Sequence, residues 1–291
     1  RCAWPAGAAP SMSAKLGIIA GGGDLPRAVA ASARAGGREV FVIGLTGSLD
    51  EGDDWIGDFP HEMMSPGAPG RAFKSFRREG VTDILLAGKV DRPDFSSLKL
   101  DMKGLALLPR ALKAARQGDD ALLRFLVTMF EEEGFRAIGV AEAAPGLVCG
   151  EGALGRLTPN DDHRADMDRG FAIVKALGAL DVGQAAVVCE GLALAVEAAE
   201  GTDRMIERIG TLREALRGTP QQRRGVLVKA LKPTQDAKTD MPVIGVATVE
   251  RAAAAGLAGI GLEAGGALIV DKALVAAKAD ALGLFVTGVK P

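Results

Sequence analysis

The stretch from Lys15 to Leu45 constrains the fold more than any other part of the chain. Lys15 to Ala20 (K-L-G-I-I-A) is an apolar run of strand length. Gly21, Gly22 and Gly23 break it at once, and Asp24-Leu25-Pro26 opens an alanine-rich helical pattern that continues to Ala35. Gly36-Gly37 ends that helix, and residues 39–45 (E-V-F-V-I-G-L) form a second apolar run. A strand, one helix and a second strand joined this closely call for a parallel pair with a right-handed crossover. The chain therefore opens as an α/β domain on a parallel sheet.

The next segments extend the same unit. Residues 71–79 read as a helix, 83–87 as a third strand, 107–116 and 121–133 as helices, and 135–140 as a late strand. Gly88-Lys89-Val90 follows the third strand at its carboxyl end, where doubly wound sheets hold their ligands. Residues 12–145 are thus expected to form a Rossmann-like domain, with residues 1–11 a tag or upstream extension before a start at Met12. The backbone amides of Gly21, Gly22 and Gly23 sit where a phosphate could be cradled, and a tight structural turn accounts for them as well. An NAD site is disfavoured: Pro26 stands where the third glycine of the dinucleotide fingerprint belongs, and Gly44 near the end of the second strand leaves no acid for a ribose.

Residues 141–160 turn to Pro, Gly and short apolar scraps, the composition of a linker. Beyond it, residues 152–291 read as a mixed α+β domain. Its expected strands are 185–189, 192–198, 226–228, 259–263, 267–270 and 284–289. Its expected helices are 166–177, 205–217 (with Thr202 as the cap), 248–255 and 272–282. The run from Asn160 to Asp166 is expected to be a solvated loop and helix start, and Gly118-Asp119-Asp120 a helix cap.

One segment of this second domain concentrates chemistry. After Val226-Leu227-Val228 the chain reads K-A-L-K-P-T-Q-D-A-K-T-D-M-P-V-I-G, so Pro233 and Pro242 bracket Gln235, Asp236, Lys238 and Asp240. Two prolines around a dense polar cluster mark a short, stiff connection between buried elements. A helical turn would stack Asp236 and Asp240 on one face, where like charges repel unless a cation lies between them. On spacing alone a solvated turn with ordinary ion pairs explains the segment. Glu200 and Asp203 add carboxylates in another loop of the same domain, and Lys229 and Lys232 add balancing charge. Hard oxygen ligands of this kind suit Mg²⁺ or Mn²⁺, and a divalent ion beside basic residues suits phosphoryl chemistry. Asp236, Asp240, Glu200 and Asp203 are accordingly the candidate metal ligands, and Thr202, Lys229, Lys232, Gln235, Lys89 and the triglycine turn the candidate substrate contacts.

Other chemistries fit less well. His61 and His163 are the only histidines, and neither has a Cys or His at ligand spacing, which argues against a histidine-based metal site or a Ser-His-Asp triad. The formal net charge is −2, aromatics are 4% and tyrosine is absent, so nucleic acid is not the expected partner. Three widely spaced cysteines form neither a disulfide framework nor a metal motif, pointing to a reducing compartment. No uninterrupted apolar run approaches the ~18 residues needed to span a bilayer.

Five segments together resemble a known family. They are G-G-G-D-L-P at Gly21, D-V-G-Q at Asp181 to Gln184, A-V-E-A-A-E-G-T-D at Ala195 to Asp203, K-P-T-Q-D-A-K-T-D-M-P-V-I-G at Lys232 to Gly245, and E-A-G at Glu263. In this order, across nearly the whole chain, they resemble the UDP-2,3-diacylglucosamine pyrophosphatases of lipid A biosynthesis, in the form unrelated to calcineurin-type phosphoesterases. The second E-A-A-E alanine replaces an isoleucine of that pattern, apolar for apolar. The resemblance implies divalent-metal-dependent hydrolysis of UDP-2,3-diacylglucosamine to UMP and 2,3-diacylglucosamine 1-phosphate (lipid X), with water attacking the sugar-side phosphorus. It places the essential aspartate at Asp236, supported by Asp240. It also implies a cytoplasmic protein working at the inner face of the inner membrane, with peripheral association and a homodimer both allowed. Substrate is expected in a cleft between the domains. Two alternatives fit the residues: another metal-dependent nucleotide-sugar hydrolase, and a non-catalytic nucleotide-binding regulatory module.

Overall fold

The computed structural model describes residues 14–49, 54–90, 98–232 and 241–290. The chain separates into two compact units, Arg1–Gly146 and Leu147–Pro291.

The first unit runs β1 (Lys15–Ala20), α1 (Asp24–Ala35), β2 (Val40–Leu45), a 3₁₀ turn at Asp54–Asp58, β3 (His61–Met64), α2 (Pro69–Arg78), β4 (Val81–Ala87), α3 (Met102–Ala115), α4 (Asp119–Glu132), β5 (Arg136–Ala137) and α5 (Val140–Ala143). Its strands lie in the order β3-β2-β1-β4-β5, every described pair parallel. Strands β1, β2 and β4 are almost continuously apolar and buried, as a parallel sheet covered on both faces requires. On one side Phe73, Phe76, Phe130 and Phe135 interlock at ring-centroid distances of 5.1 to 6.3 Å. The order reverses between β1 and β4, so the triglycine turn after β1 stands beside the Gly88-Lys89 segment after β4. The expected strand at 135–140 shrinks to β5, because Gly139 caps the short helix α5. The helix after Gly118 begins on Asp119, and its cap is Gly118 itself with no side-chain bond.

The second unit runs β6 (Gly152–Ala153), α6 (Asp161–Ala179), β7 (Ala185–Cys189), β8 (Leu192–Val196), α7 (Gly201–Ile209), a 3₁₀ turn at Glu214–Leu216, β9 (Val226–Lys229), β10 (Val243–Ile244), α8 (Val246–Ala254), β11 (Gly259–Glu263), β12 (Leu268–Ile269), α9 (Lys272–Leu282) and β13 (Phe285–Val289). The main sheet is mixed, in the order β6-β13-β11-β9-β7-β8. Strands β9, β11 and β13 are parallel, β7 runs against β9 and β8, and β6 runs against β13. Strands β10 and β12 form a separate short parallel pair. Met167, Phe171 and Val174 of α6 pack with Ala186, Val226 and Val228 on one side. Met205, Ile206 and Ile209 of α7, Val249 of α8 and Val275 of α9 pack with Val187, Leu227, Ile260 and Leu262 on the other.

Three local expectations change here. Helix α6 starts at Asp161 rather than near 166, because Asn160 and His163 form a capping box, Asn160 Oδ1 accepting the His163 amide at 2.8 Å. Asp166 is not solvated: it is buried and accepts the Glu190 and Gly191 amides of the β7–β8 turn at 3.0 and 2.7 Å. Thr202 does not cap the helix that follows it. It lies inside the first turn of α7, whose N-cap is Glu200.

Candidate active site

Three of the five motif segments, and the described flanks of a fourth, meet at one end of the second sheet. Lys229, the last residue of β9, pairs with Ala185 at the start of β7 and with Leu262 near the end of β11. Val196, the last residue of β8, pairs with Ala186. The D-V-G-Q segment thus enters β7, E-A-A-E-G-T-D leaves β8 for α7, and E-A-G leaves β11, all beside the point where β9 runs into the proline-bracketed segment. Carboxyl ends of parallel strands are where open α/β sheets bind ligands.

Lys229 is 5% exposed, and a buried ammonium is tolerable only when hydrogen-bonded and charge-compensated. Its Nζ donates to Thr202 Oγ1 at 2.9 Å and to the Val243 carbonyl of β10 at 3.2 Å. The Thr202 hydroxyl donates in turn to Glu197 Oε1 at 2.7 Å, and Glu197 Oε2 accepts the Gln184 amide at 3.2 Å. Glu197 is itself 8% exposed. Gly183 lets this happen: a Cβ there would collide with the Glu197 carbonyl. Among the described residues the buried side-chain carbonyl of Gln184 has no hydrogen-bond partner.

Gln235, Asp236 and Asp240 lie outside the described residues, but the chain on either side of them is firmly held. Leu231 donates its amide to Glu263 Oε2 at 2.9 Å, Lys232 Nζ contacts Asp181 Oδ1 at 2.8 Å, and Val243 is bound by Lys229. The D-V-G-Q, E-G-T-D and E-A-G motifs therefore share one structural task, which is to hold the chain at Leu231 and Lys232 and again at Val243.

The structure does not gather all the expected ligands. Glu200 accepts from Arg208 at 3.0 Å, and its own backbone amide, then Arg208, hold its carboxyl below the usual range. Asp203 pairs with Arg251 at 3.6 Å. Among the described residues no group of three or more His, Cys, Asp or Glu side chains is placed to hold a metal. Glu197 was not singled out by the sequence, although two signals were there. It follows Ala195 by two on the same buried face of the extended chain, and it precedes Thr202 within one motif.

In the first unit, Gly21 donates its amide to the Ala87 carbonyl at 2.9 Å. Gly22 exchanges two backbone bonds with Lys89, both at 2.8 Å. Two of the three amides offered for a phosphate are thus committed to the β4 extension, and a Cβ on Gly21 would strike the Lys89 carbonyl. Close backbone approach explains that glycine. Gly23 begins α1 with φ 86°, and Lys89 is exposed beside it. His61 bonds the Phe59 carbonyl at 2.9 Å and His163 packs on Phe285 at 5.1 Å, so both described histidine rings have structural partners.

Comparison with known proteins agrees with this layout. The LpxI N-terminal domain model matches residues 15–156 and the LpxI C-terminal domain model residues 150–287. The chain is 49% identical over 277 residues to the UDP-2,3-diacylglucosamine pyrophosphatase LpxI of Caulobacter vibrioides, covering 95% of this chain and 98% of that protein. With the two domain models together matching residues 15–287, the chain belongs to the LpxI family.

Proposed function

We propose that the chain hydrolyses the pyrophosphate of UDP-2,3-diacylglucosamine, releasing UMP and 2,3-diacylglucosamine 1-phosphate (lipid X). The observation that carries this is the convergence of Glu197, Thr202, Lys229, Lys232 and Asp181 on the two flanks of the segment that bears Gln235, Asp236 and Asp240. Water attacks the sugar-side phosphorus. The new P–O bond forms as the bond to the bridging oxygen breaks, and that oxygen leaves with UMP. Asp236 orients the water or takes its proton, with Asp240 in support. Lys229, Lys232 and Gln235 hold the phosphates, where fixed positive charge from the two lysines stabilises the anionic transition state, and Thr202 lies beside them as an acceptor for Lys229. Gly21, Gly22, Gly23 and Lys89 remain candidates for a nucleotide contact, through the Gly23 end of the turn and the Lys89 ammonium.

Mg²⁺ or Mn²⁺ dependence is part of the same proposal. The described carboxylates do not supply a metal cluster by themselves, since Glu200 and Asp203 each face an arginine. The metal therefore rests on Asp236 and Asp240. Among the described residues no helix is long and apolar enough to cross a membrane. We place the protein in the cytoplasm, peripheral to the inner face of the inner membrane where its lipid substrate lies. Activity should vanish on chelation and return with Mg²⁺ or Mn²⁺. In ¹⁸O-water the label should enter lipid X and not UMP. Full activity after exhaustive chelation would overturn the metal, and label in UMP would overturn the site of attack.

A further inference from the structure

The two glutamates of E-A-A-E have opposite surroundings. Glu200 turns to Arg208, whereas Glu197 is buried with both oxygens engaged inside the protein. We propose that Glu197 is a positioning residue for the hydrolysis, orienting the Lys229 ammonium through the Thr202 hydroxyl. The inference rests on the reading above in which Lys229 contacts the phosphates.

The chemistry of a hydroxyl makes the link directional. Thr202 has one hydroxyl hydrogen, and an ionised carboxylate only accepts. With that hydrogen held by Glu197 Oε1 at 2.7 Å, Thr202 Oγ1 presents lone pairs to Lys229 Nζ at 2.9 Å. Without Glu197 the hydroxyl is released to rotate, and the ammonium loses a fixed acceptor. The Val243 carbonyl supplies a second acceptor at 3.2 Å, so the Nζ geometry is set from two sides. Glu197 is tied by the Gln184 amide to the start of β7, follows β8, and reaches α7 through Thr202. Its position is therefore fixed by three elements around the end of β9. A group held within a fraction of an ångström by its supporting shell is what phosphate positioning requires.

The test compares Lys229→Met, Glu197→Gln, Thr202→Val, Thr202→Ser and the Glu197→Gln/Thr202→Val double variant. Steady-state hydrolysis of UDP-2,3-diacylglucosamine at saturating Mg²⁺ is measured beside thermal unfolding. Glu197→Gln and Thr202→Val should each lower kcat about 10- to 100-fold with KM changed less than about 3-fold, the scale of loss on removing a supporting partner. Thr202→Ser, which restores the hydroxyl, should recover most of what Thr202→Val loses. The double variant should be no worse than its worse parent, because both changes break one chain. Wild-type kcat in Glu197→Gln or Thr202→Val, or a double variant whose losses multiply, overturns the relay. If Glu197→Gln melts near the assay temperature, the Thr202→Val and Thr202→Ser pair decides, since both retain Glu197. Wild-type kcat in Lys229→Met overturns the phosphate contact itself, whereas a large loss in Lys229→Met with wild-type kcat in Glu197→Gln overturns only the relay, so the two failures are distinguishable.

Discussion

Asp181 and Lys232 meet at 2.8 Å where the chain leaves β9 for the proline-bracketed segment. Asp181 ends α6 in a left-handed conformation with φ 55° and stands half-exposed, while Lys232 is largely covered. A pair this accessible contributes little to stability, typically under ~1 kcal/mol. Its effect should instead be on catalysis. Asp181→Asn should leave the unfolding midpoint within about 0.5 M urea of wild type. It should reduce kcat/KM by about 3- to 10-fold, equivalent to ~1 kcal/mol of lost anchoring. Urea unfolding and steady-state kinetics on the same preparation separate the two effects.

Asp83 is a different kind of ion pair. It is 2% exposed in β4 and receives Arg38 at 2.6 Å and a two-pronged Arg136 at 2.8 and 2.7 Å. Burial alone would raise its pKa, but the hydrogen bonds from Arg136 and Arg38 outweigh it and hold the carboxyl below its ordinary value. Neutralising it leaves the nearly buried Arg38 without its counter-charge. Asp83→Asn should therefore cost about 3–5 kcal/mol in urea unfolding. Because the folded pKa is depressed, the contribution is complete above the unfolded value near 3.8 and disappears as pH falls through the lower folded one.

His163 predicts a pH effect in another window. Burial against Phe285 pushes its pKa below the ordinary imidazole value of 6.5, against the opposing influence of Asp166 and Asp162. The unfolded chain then binds a proton more readily than the folded one, so stability rises with pH through this range and falls as pH drops below about 6.5. Melting temperature should decline between pH 7.5 and 5.5. His163→Gln keeps a capping-box acceptor for the Asn160 amide and should flatten that slope. An unchanged slope would assign the pH dependence to other groups.

The strands legible in the sequence, β1, β2, β4, β7, β8, β9, β11, β12 and β13, are largely apolar runs, and the parallel or central ones are buried on both faces. Strand β3 reads H-E-M-M at a sheet edge, and β6 and β10 are two residues each, too short for any periodicity to appear. The start of α6 was hidden for another reason: a histidine completes its capping box where Glu or Gln is the usual sign. At the site, motif spacing marked Lys229, Lys232 and Thr202. It could not separate Glu197 from Glu200, because which one turns inward depends on the β8 pairing and on the close approach of Gly183. Local sequence named candidate groups, and tertiary register decided their partners.

The aspartate of K-P-T-Q-D is the central claim, and its most direct test is turnover and substrate binding by Asp236→Ala at saturating Mg²⁺. The expected result is retained binding of UDP-2,3-diacylglucosamine with kcat lower by about two or more orders of magnitude, the loss typical of a removed acid–base group. Wild-type turnover by Asp236→Ala would contradict the assignment and move the chemistry to another group at this end of the sheet.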